Sequence, residues 1–142
     1  MKTLQVKLPG RNYNIDIGLD ILQKQLSNTV LKKNTDLVVI VTNETLHNLY
    51  PDHLRSIIHD TGIRIASCVL PDGEQYKNMD TLSQIYDFLI EVNANRETLL
   101  IAFGGGVIGD MAGFAAATFV RGISYIQIPT TLLAHVDSSV GG

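Results

Sequence analysis

The sequence predicts an α/β fold: a Rossmann-like parallel sheet flanked by helices, preceded by an amino-terminal β-hairpin. Three observations carry that prediction. Short β-branched runs alternate with segments of helical periodicity, a glycine-rich turn joins one such run to a helix, and the opening residues alternate polar and apolar.

Taken in order, Leu4–Leu8 and Tyr13–Ile17 alternate about Pro9-Gly10-Arg11-Asn12 and read as a hairpin. A short helix is expected over Leu19–Leu26. Leu37-Val38-Val39-Ile40-Val41 is a continuous apolar run, the pattern of a parallel strand covered on both faces. Asn43 stands where it could cap the next helix, whose apolar stripe is Leu46, Leu49, Tyr50, Leu54, Ile57 and Ile58, with Pro51 able to split it. Arg64–Leu70 reads as the next strand. After Pro71-Asp72-Gly73-Glu74, Asn78 can cap a helix carrying Leu82, Ile85, Tyr86, Leu89 and Ile90 on one face. Thr98–Phe103 is the third strand of the series, Gly106–Phe119 a helix, Tyr125–Ile128 the fourth strand, and Thr131 opens another helix. Strands alternating with helices imply β-α-β units and hence parallel pairing.

The bulk properties narrow the function. The 142 residues suit one domain, and a hydrophobic fraction of 45% with 18% charged residues provides a core without the signature of disorder. A net charge of −3 with no Lys/Arg cluster argues against a nucleic-acid or anionic-membrane partner. Cys68 is the only cysteine, so no internal disulfide can form and a reducing cytoplasm is the expected setting. The start lacks the long apolar run of a signal peptide. The weakly charged stretch from Thr98 to Val120 is interrupted by five glycines and Asp110, which favours buried core over a membrane span.

The sharpest local signal is Phe103-Gly104-Gly105-Gly106-Val107-Ile108-Gly109-Asp110, a G-x-G-x-x-G placed directly between a strand and a helix. Glycines permit a tight turn and close backbone approach, and the amides at a helix start point at a phosphate. The alternative is a strand-to-helix turn that packs closely and binds nothing. No Gly-Lys-Ser/Thr follows, so this is not a P-loop. The next strand ends Gln127-Ile128-Pro129-Thr130-Thr131 and lacks the acidic residue that ordinarily holds a dinucleotide's ribose. Asp110, the only charge between Thr98 and Val120, has two readings: interaction with the positive end of its helix, or contact with a cofactor.

Three blocks occur in a fixed order: Asp72-Gly73-Glu74-Gln75-Tyr76-Lys77-Asn78, then Gly104 to Asp110, then Arg121-Gly122 with Ile128 to Ala134 and Val136-Asp137-Ser138-Ser139-Val140-Gly141-Gly142. Together they resemble the 3-dehydroquinate synthase family, over the whole chain and most strongly from Leu70 onward. The resemblance implies an enzyme that uses recycled NAD and a divalent metal, zinc or cobalt. It would convert a small sugar phosphate, 3-deoxy-D-arabino-heptulosonate 7-phosphate, to 3-dehydroquinate and phosphate. It further implies that Asp72, Gly73, Glu74, Gln75, Tyr76 and Lys77 belong to the cofactor site, with Glu74 and Lys77 on the adenosine side. Gly105, Gly106 and Val107 would lie against the pyrophosphate, flanked by Ile108 and Gly109. Asp110 would face the nicotinamide half, with Thr130, Thr131 and Leu133 nearby. Asn43, at a strand's carboxyl end, is expected to take the ribose contact. Asp137 and Arg121 match substrate-side positions, Arg121 either in its own site or in a partner subunit's.

Each assignment has a plainer competitor. Glu74 and Lys77 could be a solvated surface pair, Thr130 and Thr131 helix caps, and Arg121 the partner in a structural ion pair. His47, His53 and His59 are six apart, fall on different sides of a helix and form no metal site, and His135 receives no role. The metal ligands are expected beyond Gly142, in a helical domain that follows in the family, so the chain reads as a fragment covering the NAD-binding domain. The full-length protein is expected to be a homodimer. Rival readings are another sugar-phosphate cyclase of the same superfamily, a more distant polyol dehydrogenase, and a non-catalytic NAD-sensing module.

Overall fold

The computed structural model describes residues 1–10, 12–32, 35–59 and 61–139, the side chains of 31 and 32 excepted. Within them, a two-stranded antiparallel hairpin precedes a four-stranded parallel sheet with helices on both faces. This is the predicted class. Arg11 of the hairpin turn and Val140, Gly141 and Gly142 of the last block lie outside the described residues.

The hairpin pairs β1 (Lys2–Val6) with β2 (Tyr13–Ile17), Leu4 opposite Ile15 and Val6 opposite Tyr13. Its first strand sits two residues earlier than the alternation suggests. In place of a ladder bond, the Leu8 amide donates to the Asn12 side chain at 3.2 Å, which draws Lys7 and Leu8 into the connection. The first helix, α1 (Leu22–Lys32), also differs from its expected span. Asp20 at φ 52° delays the start. Leu26 and Val30, four apart and both buried, then carry the helix past the expected end.

In the main sheet β3 (Leu37–Asn43), β4 (Arg64–Leu70), β5 (Leu99–Gly104) and β6 (Ser124–Pro129) lie in the order β4-β3-β5-β6, all parallel. Leu37 to Thr42 and all of β5 are buried, as strands covered on both faces must be. Pro51 does split the segment after β3, into α2 (Glu44–Leu49) and α3 (His53–His59). Asn78 caps α4 (Met79–Glu91), its side chain accepting the Thr81 amide at 3.0 Å. The last long helix is α5 (Gly106–Thr118).

Two apolar layers sandwich the sheet. On one side Leu26, Val30, Leu54 and Ile58 from α1 and α3 pack on Val38, Ile40, Leu99, Ile101 and Phe103. On the other, Leu82, Ile85 and Leu89 of α4 and Met111, Ala112 and Ala115 of α5 pack on Val39, Val41, Leu100 and Ala102. Each fully buried Leu, Ile or Val contributes roughly 1.5–3 kcal/mol by leaving water. The connection from β3 thus covers one face and those from β4 and β5 the other. The topology reverses between β3 and β5, which opens a crevice at the strands' carboxyl ends.

Candidate functional site

A cleft of about 330 Å³ occupies that crevice. Its walls come from the ends of all four strands: Asn43 closing β3, Pro71 to Gly73 after β4, Gly105 to Ile108 after β5, and Thr130 and Thr131 after β6. Its floor includes the start of α5. The amides of Gly106, Val107 and Ile108 open that helix without intrahelical acceptors, and the N-cap, Gly105, has no side chain to offer them.

The glycines of the turn act differently from the expectation. None of Gly104, Gly105, Gly106 and Gly109 is among the glycines at positive φ, which among the described residues are Gly10, Gly62, Gly73 and Gly122. The turn needs their missing side chains, not their backbone freedom. A Cβ on Gly104 would stand 2.5 Å from the Ile108 Cβ, one on Gly105 would stand 2.9 Å from the Thr131 methyl, and one on Gly106 would stand 3.0 Å from the Ser138 hydroxyl. On Gly109 it would collide with the Gln127 carboxamide. Much of the motif's room is therefore used by the protein itself.

Gly73 is the reverse case. At φ 123° it requires glycine, and it turns the chain from β4 into the 3₁₀ turn Glu74–Tyr76. Before it, the Asp72 carboxylate accepts the amide and hydroxyl of Thr45 at 3.0 and 2.9 Å and is also hydrogen-bonded by the Asn43 side-chain amide. These bonds hold its pKa below the ordinary carboxylate value, the Asn43 bond contributing most. So Asp72, not Asn43, supplies the side-chain cap of α2, although Asn43 occupies the N-cap position. With its amide so held, Asn43 keeps its carbonyl oxygen buried and without a partner at the wall of the cleft.

Lys77 donates to Asp110 at 2.6 Å and lies 3.8 Å from Glu74. Of the two partners, Asp110 dominates, through its hydrogen bond and its charge, and the Lys77 pKa is raised accordingly. The helix-dipole reading of Asp110 does not hold, because Asp110 stands on the second turn of α5, beyond the reach of that effect. Thr131 does cap: its hydroxyl accepts the Ala134 amide at 3.2 Å. Beyond it Leu132 and Leu133 are exposed, and a π-helical turn, Ala134–Ser138, carries exposed Asp137. Ser138 presses on Gly106, and its hydroxyl is buried and unpartnered.

Arg121 is not brought into the cleft. It follows α5 at the end opposite the glycine turn, and a helix of 13 residues puts about 20 Å between the two ends. Residues that sequence reasoning did not single out include Thr45, which anchors Asp72, and Tyr125 and Gln127 of β6. Tyr125 donates to the Gly109 carbonyl at 2.9 Å, and burial raises its pKa. The signal for Gln127 was a polar residue inside an otherwise apolar strand. Among the described residues no group of three or more His, Cys, Asp or Glu could hold a metal ion.

The family model described as 3-dehydroquinate synthase N-terminal matches residues 67–142, just over half of the chain. The 3-dehydroquinate synthase of Acinetobacter baylyi is 51% identical over all 142 residues, which span 39% of that protein's length. A crystal structure of 2-deoxy-scyllo-inosose synthase with carbaglucose-6-phosphate, NAD+ and Co2+ matches with a TM-score of 0.84 at 28% identity, over 96% of this chain and 37% of that one. ValA, a 2-epi-5-epi-valiolone synthase from Streptomyces hygroscopicus with NAD+ and Zn2+ bound, gives a TM-score of 0.73 at 26% identity, over 89% and 36% of the two chains.

Proposed function

The chain belongs to the 3-dehydroquinate synthase N-terminal family, and from that premise we propose that it forms the NAD-holding domain of a 3-dehydroquinate synthase. The reaction proposed is conversion of 3-deoxy-D-arabino-heptulosonate 7-phosphate to 3-dehydroquinate and phosphate. The observation that carries the NAD site is the buried, unpartnered Asn43 oxygen in one cleft with the open amides of α5. That oxygen wants a donor, which a ribose hydroxyl supplies; the amides want an anion, which a pyrophosphate supplies. β3 adjoins β5, so Asn43 stands beside the glycine turn and can replace the acidic residue absent after β6.

NAD, when bound, supplies reversible hydride acceptance, and this chain's residues bind and orient it. Asn43 receives the ribose. Gly105, Gly106 and Val107 bring backbone to the pyrophosphate, while buried Ile108 closes the cleft beneath them and Gly109 admits Gln127. Asp72 works at one remove, holding Asn43 in place. Gly73, Gln75 and Tyr76 shape the loop that presents Glu74 and Lys77 to the adenosine side. Asp110, Thr130, Thr131 and Leu133 border the nicotinamide half, and Asp137 faces substrate. Arg121 would serve the site of a second copy in a homodimer, where its guanidinium suits a phosphate or carboxylate.

The described residues provide no donor set for the zinc or cobalt of the solved relatives. The chain spans 39% of its curated relative's length, so on this reading it does not turn over substrate alone. Sequence favours the synthase over other sugar-phosphate cyclases, at 51% against 28% identity.

Calorimetric titration with NAD tests the proposal, with NADP and Gly106→Asp as controls. Saturable heat that vanishes in the variant is expected; a folded chain that binds no NAD would overturn the site. In a parallel assay with substrate, NAD and zinc, no phosphate release is expected from the chain alone. Turnover there would show that this chain suffices.

A further inference from the structure

We infer that Gln127 is a positioning residue for the Asp137 turn, acting from the middle of β6 through the gap that Gly109 leaves. The inference rests on the substrate-side role proposed for Asp137 and deepens it.

Tyr125 and Gln127 are two apart on β6 and so point to the same face of the sheet, the one that α5 covers. Tyr125 reaches up to the Gly109 carbonyl at 2.9 Å. Gln127 passes the same helical position on its open side and donates to the Ser138 carbonyl at 3.2 Å. Any side chain on Gly109 would occupy the place of that carboxamide, since a Cβ there would lie 3.0 Å from its carbon and closer still to its nitrogen. The third glycine of the G-x-G-x-x-G pattern is thus explained by a side chain of the next strand, not by a ligand.

What Gln127 holds is the end of the π-helical turn Ala134–Ser138, whose closing bond runs from the Ser139 amide to the Ala134 carbonyl at 3.0 Å. Such turns are wide and recur at functional sites. Ser138 is fixed from two sides: Gln127 bonds its carbonyl, and its hydroxyl rests on the bare face of Gly106. Asp137 is the residue before it. Among the described residues no hydrogen bond holds the Asp137 carboxylate, so its orientation follows from its neighbour. Gln127 therefore couples the helix start proposed for the pyrophosphate to the carboxylate proposed for the substrate. Only a donor of this length does so. Leucine or methionine fills the space without the bond, and glutamate sets a carboxylate against a carbonyl.

The test uses the full-length enzyme. Gln127→Leu is expected to lower kcat for phosphate release at least tenfold while the Kd for NAD stays within twofold. In an Asp137→Asn background, adding Gln127→Leu should lower kcat no further, because the positioned group is already gone. Independent, multiplying losses in the double variant would overturn the inference, as would a parallel loss of NAD affinity, which marks a merely structural role. Should Gln127→Leu fail to fold, Gln127→Met gives the same readouts. Active wild-type enzyme with an unimpaired Gln127→Leu variant sinks this inference alone; wild-type enzyme without NAD binding or turnover sinks the proposed function and this inference with it.

Discussion

Asp72 and Lys77 stand five residues apart in one loop and direct their charges into the protein. Asp72 anchors the start of α2 and the side chain of Asn43; Lys77 reaches across to Asp110 on α5. Both are solvent-accessible, so screening keeps each bond weak and its main effect is on shape. Their pH signatures are opposite in sign. The Asp72 pKa is lowered in the folded state, so its contribution is present above the unfolded value near 4 and disappears as pH falls through the folded one. The Lys77 pKa is raised, so its contribution is present below about pH 10.4 and disappears as pH rises through the folded value. Thermal unfolding followed from pH 7 down to pH 3 should show Asp72→Asn with a shallower acid decline than wild type. Equal acid slopes would rule out these bonds as its cause. The same scale shows what sequence could not reveal about the glycines: the motif marked where close approach occurs and contains Ile108, but the other approaching groups, Thr131, Ser138 and Gln127, come from outside it and were invisible in it.

Among the elements, the exit of α5 is the most strained. Val120, Arg121 and Gly122 all have positive φ, at 41°, 69° and 104°. For glycine this is harmless, but a β-branched valine in that region costs about 1–3 kcal/mol. Asparagine tolerates the left-handed conformation, so Val120→Asn should stabilise the chain by about 1 kcal/mol in urea unfolding. A loss of stability would mean that Val120 packing outweighs its backbone cost. Helix and strand boundaries teach a similar lesson. α4 and its Asn78 cap were legible because cap and stripe are local. The start of α1 was not, because Asp20 breaks the pattern with a backbone conformation that no periodicity predicts.

Across the whole molecule, the parallel sheet sets what is reachable. Cys68 on β4 is buried under α4, and burial pushes its thiol up to about 11. Since thiolate is the reactive form, a disulfide reagent at pH 8 should label it only on unfolding, so the labelling rate should track urea concentration. Rapid labelling of the native chain would show that this layer opens locally. The same sheet separates Arg121 from the cleft by the length of α5, while it brings Asn43 and Gly106 together from 63 positions apart.

The fold class, the parallel alternation, the place of the glycine turn and the family resemblance were all legible in the order of residues, because periodicity, caps and contiguous motifs are local properties. Tertiary structure alone decided which strand ends meet. It gave Asn43 the unpartnered oxygen, occupied Asp72 with α2, paired Lys77 with Asp110 and set Gln127 in the gap at Gly109. The reason is physical: strand order and the packing of α5 across the sheet depend on how two apolar layers close around β3 and β5, and no window of sequence contains both sides of that closure.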